Sequence, residues 1–432
     1  MVIRPATRIS GNVSVPGDKS ISHRAAIIAS LAEGASLLQN YSTSQDCAAT
    51  LNCLRKLGVP VEQAGNEVRI GGRGTKGLAQ PSAPLDCGNS GSTMRMLAGV
   101  LATQEFESVL TGDDSLRRRP MNRIVDPLRL MGATVSGDDG RPPLRISGST
   151  RLKAIRYELP VASAQVKSCI LLAALNATGR TEVIETRGST RDHTERMLQW
   201  FGVSVTTASG REISLDGPVH FRGRDVFIPG DISSAAFLIA AAALVPNSDL
   251  LIEGVGLNPT RTRVLTLLQS LGVSIEVNNE REISNEPIGS IRIRGGDIAA
   301  SSRNRVRLEG SLITDLIDEL PLLAVVGSQL PSGLEIREAR ELRFKETDRI
   351  AATVLNLRAM GAEVDEFDDG LAVAGPTRLR GAKLQSLGDH RIAMAFAIAA
   401  CIADGESELD DAACVNVSFP EFFELFDSVV ER

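Results

Sequence analysis

Two segments of the chain carry carboxylates next to basic side chains, a combination that suits acid–base chemistry on an anionic substrate. In LIDELP, Asp318 precedes a proline that can begin a helix, and in RFKETDR, Glu346 lies between Lys345 and Arg349. Two carboxyl groups in different surroundings can take a proton from one atom and give a proton to another. The alternative for KETDR is an exposed helix start stabilised by salt bridges. A metal site would need more clustered oxygen ligands or a histidine, so no metal is expected.

Further basic residues stand where other helices are predicted to begin. PGDKSISHR carries Lys19, Ser20 and Arg24 about one turn apart, and GDHRIAM places Arg391 at the start of an Ala-rich helix. A helix N-terminus has unpaired N–H groups and a partial positive charge, so it favours anions, and a guanidinium binds a carboxylate through two hydrogen bonds. These segments predict a site for a small polyanion, although ordinary helix capping is the alternative for any one of them.

Two loops before predicted helices fit the same interpretation. GNSGSTMR is a Gly/Ser loop in which Gly91, having no Cβ, lets a ligand approach the backbone closely. Arg119 is the last of three arginines before Pro120 and an amphipathic helix. The alternatives are a tight turn that requires glycine and a solvated run of charges. The nucleotide-binding motifs fail their context tests, since PGDKS lacks P-loop spacing and the GRGTKG segment is followed by LAQPSAP, which cannot form a helix.

Internal repetition predicts the elements that position these residues. An amphipathic helix that ends at a glycine and precedes an alternating strand recurs five times, at Gly58, Gly132, Gly202, Gly272 and Gly361. A polar motif followed by a helix of small residues occurs six times and alternates with the first pattern. Helices with so few polar residues should be buried on most sides.

The sixth amphipathic helix, FPEFFELFDSVV, ends the chain, so the N-terminal strands are expected to complete the sixth unit. The predicted fold is α/β, a two-domain inside-out α/β barrel of six βαβ-like repeats, three per domain. One domain is expected to be discontinuous, residues 1–18 plus 228–432, with 19–227 inserted as the other. The active site is expected in the cleft between them.

Composition limits the partners and the location. The net charge is −6 and only 3% of residues are aromatic, so the chain has neither the basic charge nor the stacking side chains that nucleic-acid binding requires, and no nucleic-acid partner is expected. The six cysteines form no C-x-x-C pair and are expected to be reduced residues of the core. The N-terminus has no apolar signal core and no apolar run reaches ~20 residues, so a soluble, cytoplasmic protein is expected.

Together, PGDKSISHR, GNSGSTMR, SAQVKS, RFKETDR and DHRIAM, in this order, resemble the EPSP synthase family over essentially the whole chain. SAQVKS and TRDHTERM resemble the subgroup often described as class II. The resemblance implies transfer of the enolpyruvyl group of phosphoenolpyruvate to the 5-hydroxyl of shikimate 3-phosphate, in the shikimate pathway to chorismate and aromatic amino acids. It also implies a monomer that needs no cofactor.

The resemblance also implies a role for each matching residue. Lys19 would touch both substrates; Asp318 would take the hydroxyl proton, and Glu346 would protonate C3 of phosphoenolpyruvate. Shikimate 3-phosphate would be held by Lys19, Ser20, Arg24, Ser163, Ala164, Gln165, Arg191, Asp318 and Lys345. Phosphoenolpyruvate would be held by Lys19, Gly91, Arg119, Gln165, Arg349 and Arg391. Many family members have a lysine where this chain has Val417, so its phosphoenolpyruvate site is expected to lack one cation.

Two other functions are compatible with parts of this pattern. An enolpyruvyl transferase acting on UDP-N-acetylglucosamine would share the fold and the donor, but it normally has a K-N-A-type start and a loop cysteine. Here the start is DKSISHR and the loop at 112–120 has no cysteine. A non-catalytic anion-binding repeat scaffold would explain the sixfold repetition, but not the carboxylates and arginines at the helix starts.

Overall fold

The computed structural model describes residues 1–149, 151–296, 298 and 305–432. They divide into two units. The central unit comprises Gly17–Ile228 with Glu282–Glu286, and the terminal unit comprises Met1–Pro16, Pro229–Arg281 and Pro287–Arg432. Nothing in the sequence indicated that the short segment Glu282–Glu286, at the tip of a hairpin, belongs to the central unit.

Short strands and helices alternate along the described chain. The strands are, in chain order, β1 Val2–Ile3, β2 Arg8–Ser14, β3 Glu33–Gln39, β4 Val61–Ala64, β5 Glu67–Arg73, β6 Leu85–Asp86, β7 Glu107–Thr111, β8 Thr134–Asp138, β9 Arg141–Ser147, β10 Arg156–Glu158, β11 Gly179–Ile184, β12 Val205–Ala208, β13 Glu212–Gly217, β14 Val226–Phe227, β15 Asp249–Gly256, β16 Ser274–Ile283, β17 Glu286–Arg294, β18 Val306–Leu308, β19 Leu334–Ile336, β20 Val364–Phe367, β21 Gly370–Val373, β22 Lys383–Leu384, β23 Ser407–Leu409 and β24 Val430–Glu431.

The α-helices are α1 Lys19–Leu31, α2 Gln45–Lys56, α3 Gly91–Leu101, α4 Asp114–Arg118, α5 Asn122–Met131, α6 Ala164–Ala174, α7 His193–Trp200, α8 Ile232–Leu244, α9 Arg263–Ser270, α10 Ser311–Leu316, α11 Leu320–Gly327, α12 Arg349–Ala359, α13 His390–Cys401 and α14 Phe422–Val429. Two 3₁₀ helices span Arg340–Phe344 and Ala413–Val417.

The strands of the described residues form six small sheets, three in each unit. The central unit has the strand orders β14-β3-β5-β4, β6-β7-β9-β8 and β10-β11-β13-β12. The terminal unit has β18-β19-β21-β20, β16-β17-β15-β2-β24 and β1-β23-β22. Each sheet contains one parallel pair, and antiparallel strands extend it. The predicted α/β fold class, built from six repeated units with three in each domain, is confirmed.

Six helices rich in small residues form the centres of the units, as the sequence predicted. They are α1, α3, α6, α8, α11 and α13, and every residue of α13 is buried. Five of the six follow an Asp or Ser whose side chain accepts a hydrogen bond from a backbone N–H of the first turn, so each start is capped. The exception, α11, begins at Leu320 without a side-chain cap.

The amphipathic helices also end as predicted. The glycines that follow α2, α5, α7, α9 and α12 all have positive φ, between 79° and 104°. Gly132, for instance, is the left-handed C-cap of α5, a conformation that costs other residues backbone strain. The sixth amphipathic helix is α14, and its Phe422 and Phe426 rings are buried.

The N-terminal strands depart from the prediction in part. β1 pairs with β23 and so joins the sixth sheet. β2, however, runs parallel to β15 in another sheet of the terminal unit. The reason is an exchange of strands: β14, which precedes α8, pairs with β3 in the central unit, and β2 takes the place beside β15.

All six cysteines are buried, and burial raises the pKa of the Cys47, Cys169, Cys401 and Cys414 thiols. Within the described ranges, no helix combines the length and the apolar character needed to cross a bilayer.

Candidate active site

In the central unit, the start of α1 carries the first group of predicted site residues. Lys19 is the first residue of the helix, and its Nζ lies 2.8 Å from Asp46 Oδ2 near the start of α2. Both side chains keep some exposure, 19% and 11%, so a ligand can reach the ammonium group. The Ser20 carbonyl accepts a hydrogen bond from Arg24 Nη1 at 2.8 Å.

Arg24 connects three helix starts of the central unit. Its Nε donates to Thr194 Oγ1 at 2.7 Å, and its Nη2 donates to Ser168 Oγ at 2.9 Å. The two hydroxyls lie 2.6 Å apart, so α1, α6 and α7 meet at one guanidinium. Burial lowers the pKa of Arg24 to about 10, while the Glu195 charge acts in the opposite direction.

The start of α6 presents Ser163, Ala164 and Gln165. Ser163 caps the helix, and the Ala164 carbonyl accepts a hydrogen bond from the Ser168 hydroxyl. Gln165 reaches α3: its Oε1 accepts from Arg95 Nη1 at 2.5 Å, and its Nε2 donates to Ser92 Oγ at 2.8 Å. Because both contacts are to the first turns of α3, the starts of α3 and α6 face one another.

Gly91 and Arg119 belong to the same region. Gly91 begins α3, and a Cβ built on it would lie 2.7 Å from Arg95 Nη1 and 3.5 Å from Arg119 Nη1. Arg119 follows the short helix α4, and its Nη2 donates to Asn89 Oδ1 at 2.8 Å. Two guanidinium groups therefore approach the backbone of Gly91.

Arg191 lies two residues before the start of α7 at His193, and the second residue of that helix, Thr194, accepts a hydrogen bond from Arg24. The central unit thus brings together every site residue predicted within it. We call this group, whose members are Lys19, Ser20, Arg24, Gly91, Arg119, Ser163, Ala164, Gln165 and Arg191, the central cluster.

In the terminal unit, the predicted residues collect around one buried arginine, the first residue of α12. Arg349 Nε lies 2.8 Å from Asp389 Oδ2, and Nη2 lies 2.6 Å from Glu346 Oε2 and 3.2 Å from Asp389 Oδ1. Arg349 Nη1 lies 3.8 Å from Asp318. Burial by itself lowers the pKa of Arg349, but Asp389, then Glu346 and Asp318, raise it above its ordinary value.

Arg391 borders the same carboxylates. Its Nη1 donates to Ser233 Oγ at 2.8 Å and to the Asp318 carbonyl at 3.1 Å, and its Nη2 lies 3.9 Å from Asp318 Oδ2. The Ser233 hydroxyl in turn donates to Glu319. Asp318 and Glu346 remain 19% and 18% exposed, whereas Arg349 is 2% exposed. Two accessible carboxylates therefore flank two cations that the protein holds in place.

Lys345 stands beside this group and is 24% exposed, with its Nζ 3.9 Å from Glu341. Asp318, Lys345, Glu346, Arg349 and Arg391 form what we call the terminal cluster. Among the described residues, no group of three or more His, Cys, Asp or Glu is placed to hold a metal ion.

Known proteins resemble the chain along its whole length. The family model of EPSP synthase (3-phosphoshikimate 1-carboxyvinyltransferase) matches residues 3–426. The chain belongs to the EPSP synthase family. A 3-phosphoshikimate 1-carboxyvinyltransferase of Koribacter versatilis is 50% identical over 431 residues, covering 100% of this chain and 99% of that protein. The enzyme of the same name from Brevibacillus brevis is 47% identical, with 98% of each chain covered.

Solved structures agree with this membership. An EPSP synthase from Acinetobacter baumannii is 41% identical and superposes with a TM-score of 0.86, covering 99% of this chain and 98% of that one. The enolpyruvyl transferase NikO from Streptomyces tendae has a TM-score of 0.78 at 18% identity, covering 99% and 96%, and shows only that the fold is shared. The chain is therefore a member of a family of transferases named for the shikimate pathway.

Several residues that hold the site residues in place are not predicted by the sequence motifs. Asp389, within the GDHRIAM motif, is the main partner of Arg349, and Asp46 is the partner of Lys19. Ser233 supports Arg391. Asp389 could have been suspected, because an acid that caps a buried helix is seldom left without a cation. Asp46 and Ser233 resemble ordinary helix-start residues and carry no such signal.

Proposed function

We propose that the protein transfers the enolpyruvyl group of phosphoenolpyruvate to the 5-hydroxyl of shikimate 3-phosphate and releases phosphate. The main support is the terminal cluster, in which accessible Asp318 and Glu346 border Arg349 and Arg391. Cations held in this way can bind the anionic donor, and the two carboxylates can move the two protons of an addition–elimination reaction.

Asp318 and Glu346 have separate tasks in this proposal. Asp318 takes the proton of the 5-hydroxyl as that oxygen bonds to C2 of phosphoenolpyruvate, and Glu346 gives a proton to C3, which forms a tetrahedral adduct. Glu346 then takes a proton back from C3 as the C–O bond to phosphate breaks, the C2=C3 double bond forms again, and Asp318 returns its proton to the departing phosphate. The products are 5-O-(1-carboxyvinyl)-3-phosphoshikimate and phosphate, so the atoms balance.

The cations compensate the charges of the substrates. Phosphoenolpyruvate and shikimate 3-phosphate each carry a carboxylate and a phosphate, and preorganised Arg and Lys side chains stabilise such groups without reorganisation. We assign the acceptor to Lys19, Ser20, Arg24, Ser163, Ala164, Gln165, Arg191, Asp318 and Lys345. We assign the donor to Lys19, Gly91, Arg119, Gln165, Arg349 and Arg391. In this proposal, Lys19 contributes to catalysis by touching both substrates.

We further propose that the central and terminal clusters act on one pair of substrates, as the two-domain prediction requires. The proposed reaction needs no metal and no organic cofactor, because proton transfer and charge compensation are supplied by side chains. We also propose that the protein works as a cytoplasmic monomer.

The test is a coupled assay for phosphate release from phosphoenolpyruvate, with shikimate 3-phosphate or UDP-N-acetylglucosamine as the acceptor. Release only with shikimate 3-phosphate is expected. Release only with the nucleotide sugar would identify the sister activity. Release with neither acceptor, from folded protein that still binds anions, would favour the non-catalytic scaffold.

A further inference from the structure

The buried guanidinium of Arg24, in the central unit, has no carboxylate partner among the described residues. Arg24 is 4% exposed, yet it donates hydrogen bonds to the neutral oxygens of Thr194, Ser20 and Ser168. Among the described residues, no carboxylate forms an ion pair with it. A buried cation is costly unless a charge compensates it, so its counter-charge must act from a greater distance.

A buried ion triad lies beside this arginine. Lys167 Nζ is 2.6 Å from Glu195 Oε1 and 3.0 Å from Glu185 Oε1, and the three side chains are 1%, 6% and 2% exposed. The Thr190 N–H and hydroxyl donate to Glu185 Oε1 at 3.0 Å and 2.5 Å. Burial lowers the pKa of Lys167, but Glu195 and then Glu185 raise it above its ordinary value, so the ammonium group stays charged.

The chain joins the triad directly to the arginine. Lys167 precedes Ser168 on α6, and Glu195 follows Thr194 on α7; these two hydroxyls hold the Arg24 guanidinium. Glu195 is also the charge that most raises the pKa of Arg24, ahead of Asp18 and Glu286, while Arg191 lowers it. Glu195 Oε2 has no hydrogen-bond partner among the described residues.

The charges of this group balance. Arg24 and Lys167 are two cations, and Glu185 and Glu195 are two anions. Burial raises the pKa of Glu195, but the Lys167 ammonium at 2.6 Å acts in the opposite direction and favours the ionised carboxylate. Lys167 occupies both carboxylates, so neither is drawn onto the guanidinium. The arginine is compensated through space and is still able to bind an incoming anion.

We propose that Lys167, Glu185 and Glu195 are positioning residues that hold Arg24 on Ser168 and Thr194 with its charge available to the anionic acceptor. This inference rests on the proposed function, in which Arg24 binds shikimate 3-phosphate. None of the three residues touches a substrate in that proposal. Their effect is on the affinity for the acceptor.

If the charges act as proposed, removing the charge of Lys167 and removing the charge of Glu195 should change the affinity for shikimate 3-phosphate in opposite directions. Lys167→Met leaves two carboxylates facing Arg24, one of which captures the guanidinium, so shikimate 3-phosphate binds about tenfold more weakly. Glu195→Gln removes the main counter-charge of Arg24, so shikimate 3-phosphate binds about threefold more tightly. The double variant Lys167→Met/Glu195→Gln restores neutrality and returns the affinity to within about twofold of wild type.

Isothermal titration calorimetry with shikimate 3-phosphate measures these affinities, and steady-state kinetics should show kcat and the KM for phosphoenolpyruvate changed by less than about twofold. Arg292→Met, which removes a surface partner of Asp249, is the control and should leave acceptor affinity unchanged. A structural role alone would weaken binding in both single variants and more in the double, and that pattern overturns the proposal.

If Lys167→Met does not fold, Glu195→Gln decides the question, since unchanged or weaker binding contradicts the charge argument. The wild-type transfer assay separates this inference from the proposed function. Wild type that transfers the enolpyruvyl group, with variants that bind the acceptor normally, refutes only the role of the triad. Wild type that neither binds nor converts shikimate 3-phosphate refutes the proposed function itself.

Discussion

Replacing Asp389 with asparagine tests how strongly the terminal cluster depends on one buried carboxylate. Asp389 is fully buried and accepts two hydrogen bonds from Arg349, through Nε at 2.8 Å and Nη2 at 3.2 Å. Its Oδ1 also accepts from the Arg391 N–H at 2.9 Å, which caps α13. Asparagine keeps the shape and can keep the cap, but it loses the charge and one of the two acceptor oxygens.

The size of the effect follows from the contacts that remain. Removing one partner of a buried ion pair costs about 3–5 kcal/mol. Arg349 keeps Glu346 at 2.6 Å and Asp318 at 3.8 Å, so a loss near the lower end, about 3 kcal/mol of unfolding free energy, is expected. The freed guanidinium should then be drawn towards the two proposed catalytic carboxylates. We expect kcat/KM for phosphoenolpyruvate to fall about 100-fold, which corresponds to about 2.7 kcal/mol.

Urea unfolding and steady-state kinetics with each substrate measure the two losses. Asp348→Asn is a matched control, because Asp348 caps α12 through the Ala351 N–H at 3.0 Å and pairs with Arg343, yet it is 37% exposed. We expect the control to lose about 1 kcal/mol of stability or less and to keep wild-type kinetics. Asp389→Asn with an unchanged kcat/KM for phosphoenolpyruvate would show that Asp389 does not position Arg349 for the donor.

Three further predictions concern other parts of the molecule. Asp318→Ala and Glu346→Ala should each lower kcat far more than they raise either KM; near-wild-type turnover in either variant would remove that residue from the proposed proton transfers. Gly91→Ala should raise the KM for phosphoenolpyruvate about fivefold, which corresponds to about 1 kcal/mol, because its Cβ would lie 2.7 Å from the movable Arg95 Nη1 and 3.5 Å from Arg119 Nη1, and should raise the KM for shikimate 3-phosphate less; equal effects on both would contradict the steric argument. Burial, and then the nearby charges of Lys19 and Arg24, lowers the pKa of His23. Below pH about 6.5, this histidine is therefore protonated in the unfolded chain before it is protonated in the folded one, and the free energy of unfolding should fall by up to about 1.4 kcal/mol per pH unit. Between pH 7 and 5, the free energy of unfolding measured in urea should depend less on pH in His23→Gln than in wild type, whereas the control His220→Gln, changed at an exposed site, should behave like wild type. The same pH dependence in all three proteins would refute this prediction.

Much of the fold could be predicted from the sequence because its signals are local. The glycines after the amphipathic helices, such as Gly132, mark left-handed helix ends wherever they occur, and the small-residue helices can be stable only when buried. The repetition of these signals predicted six units without any knowledge of their contacts. The exchange of β2 and β14 had no such signal, because strand pairing depends on which edge is available after the helices pack.

The candidate residues of the site and the family could both be predicted from the sequence, since the carboxylates, lysines, arginines and glycines stand at predicted helix starts and the order of the motifs indicates the family. The contacts that hold those side chains in place are visible only in the folded chain. Asp389 reaches Arg349 from 40 residues away, and Arg24 rests on Ser168 and Thr194, which are 144 and 170 residues distant. Such contacts depend on the packing of separate helices, and a hydroxyl or carboxylate that orients a distant cation has the same local sequence pattern as one that only caps its own helix.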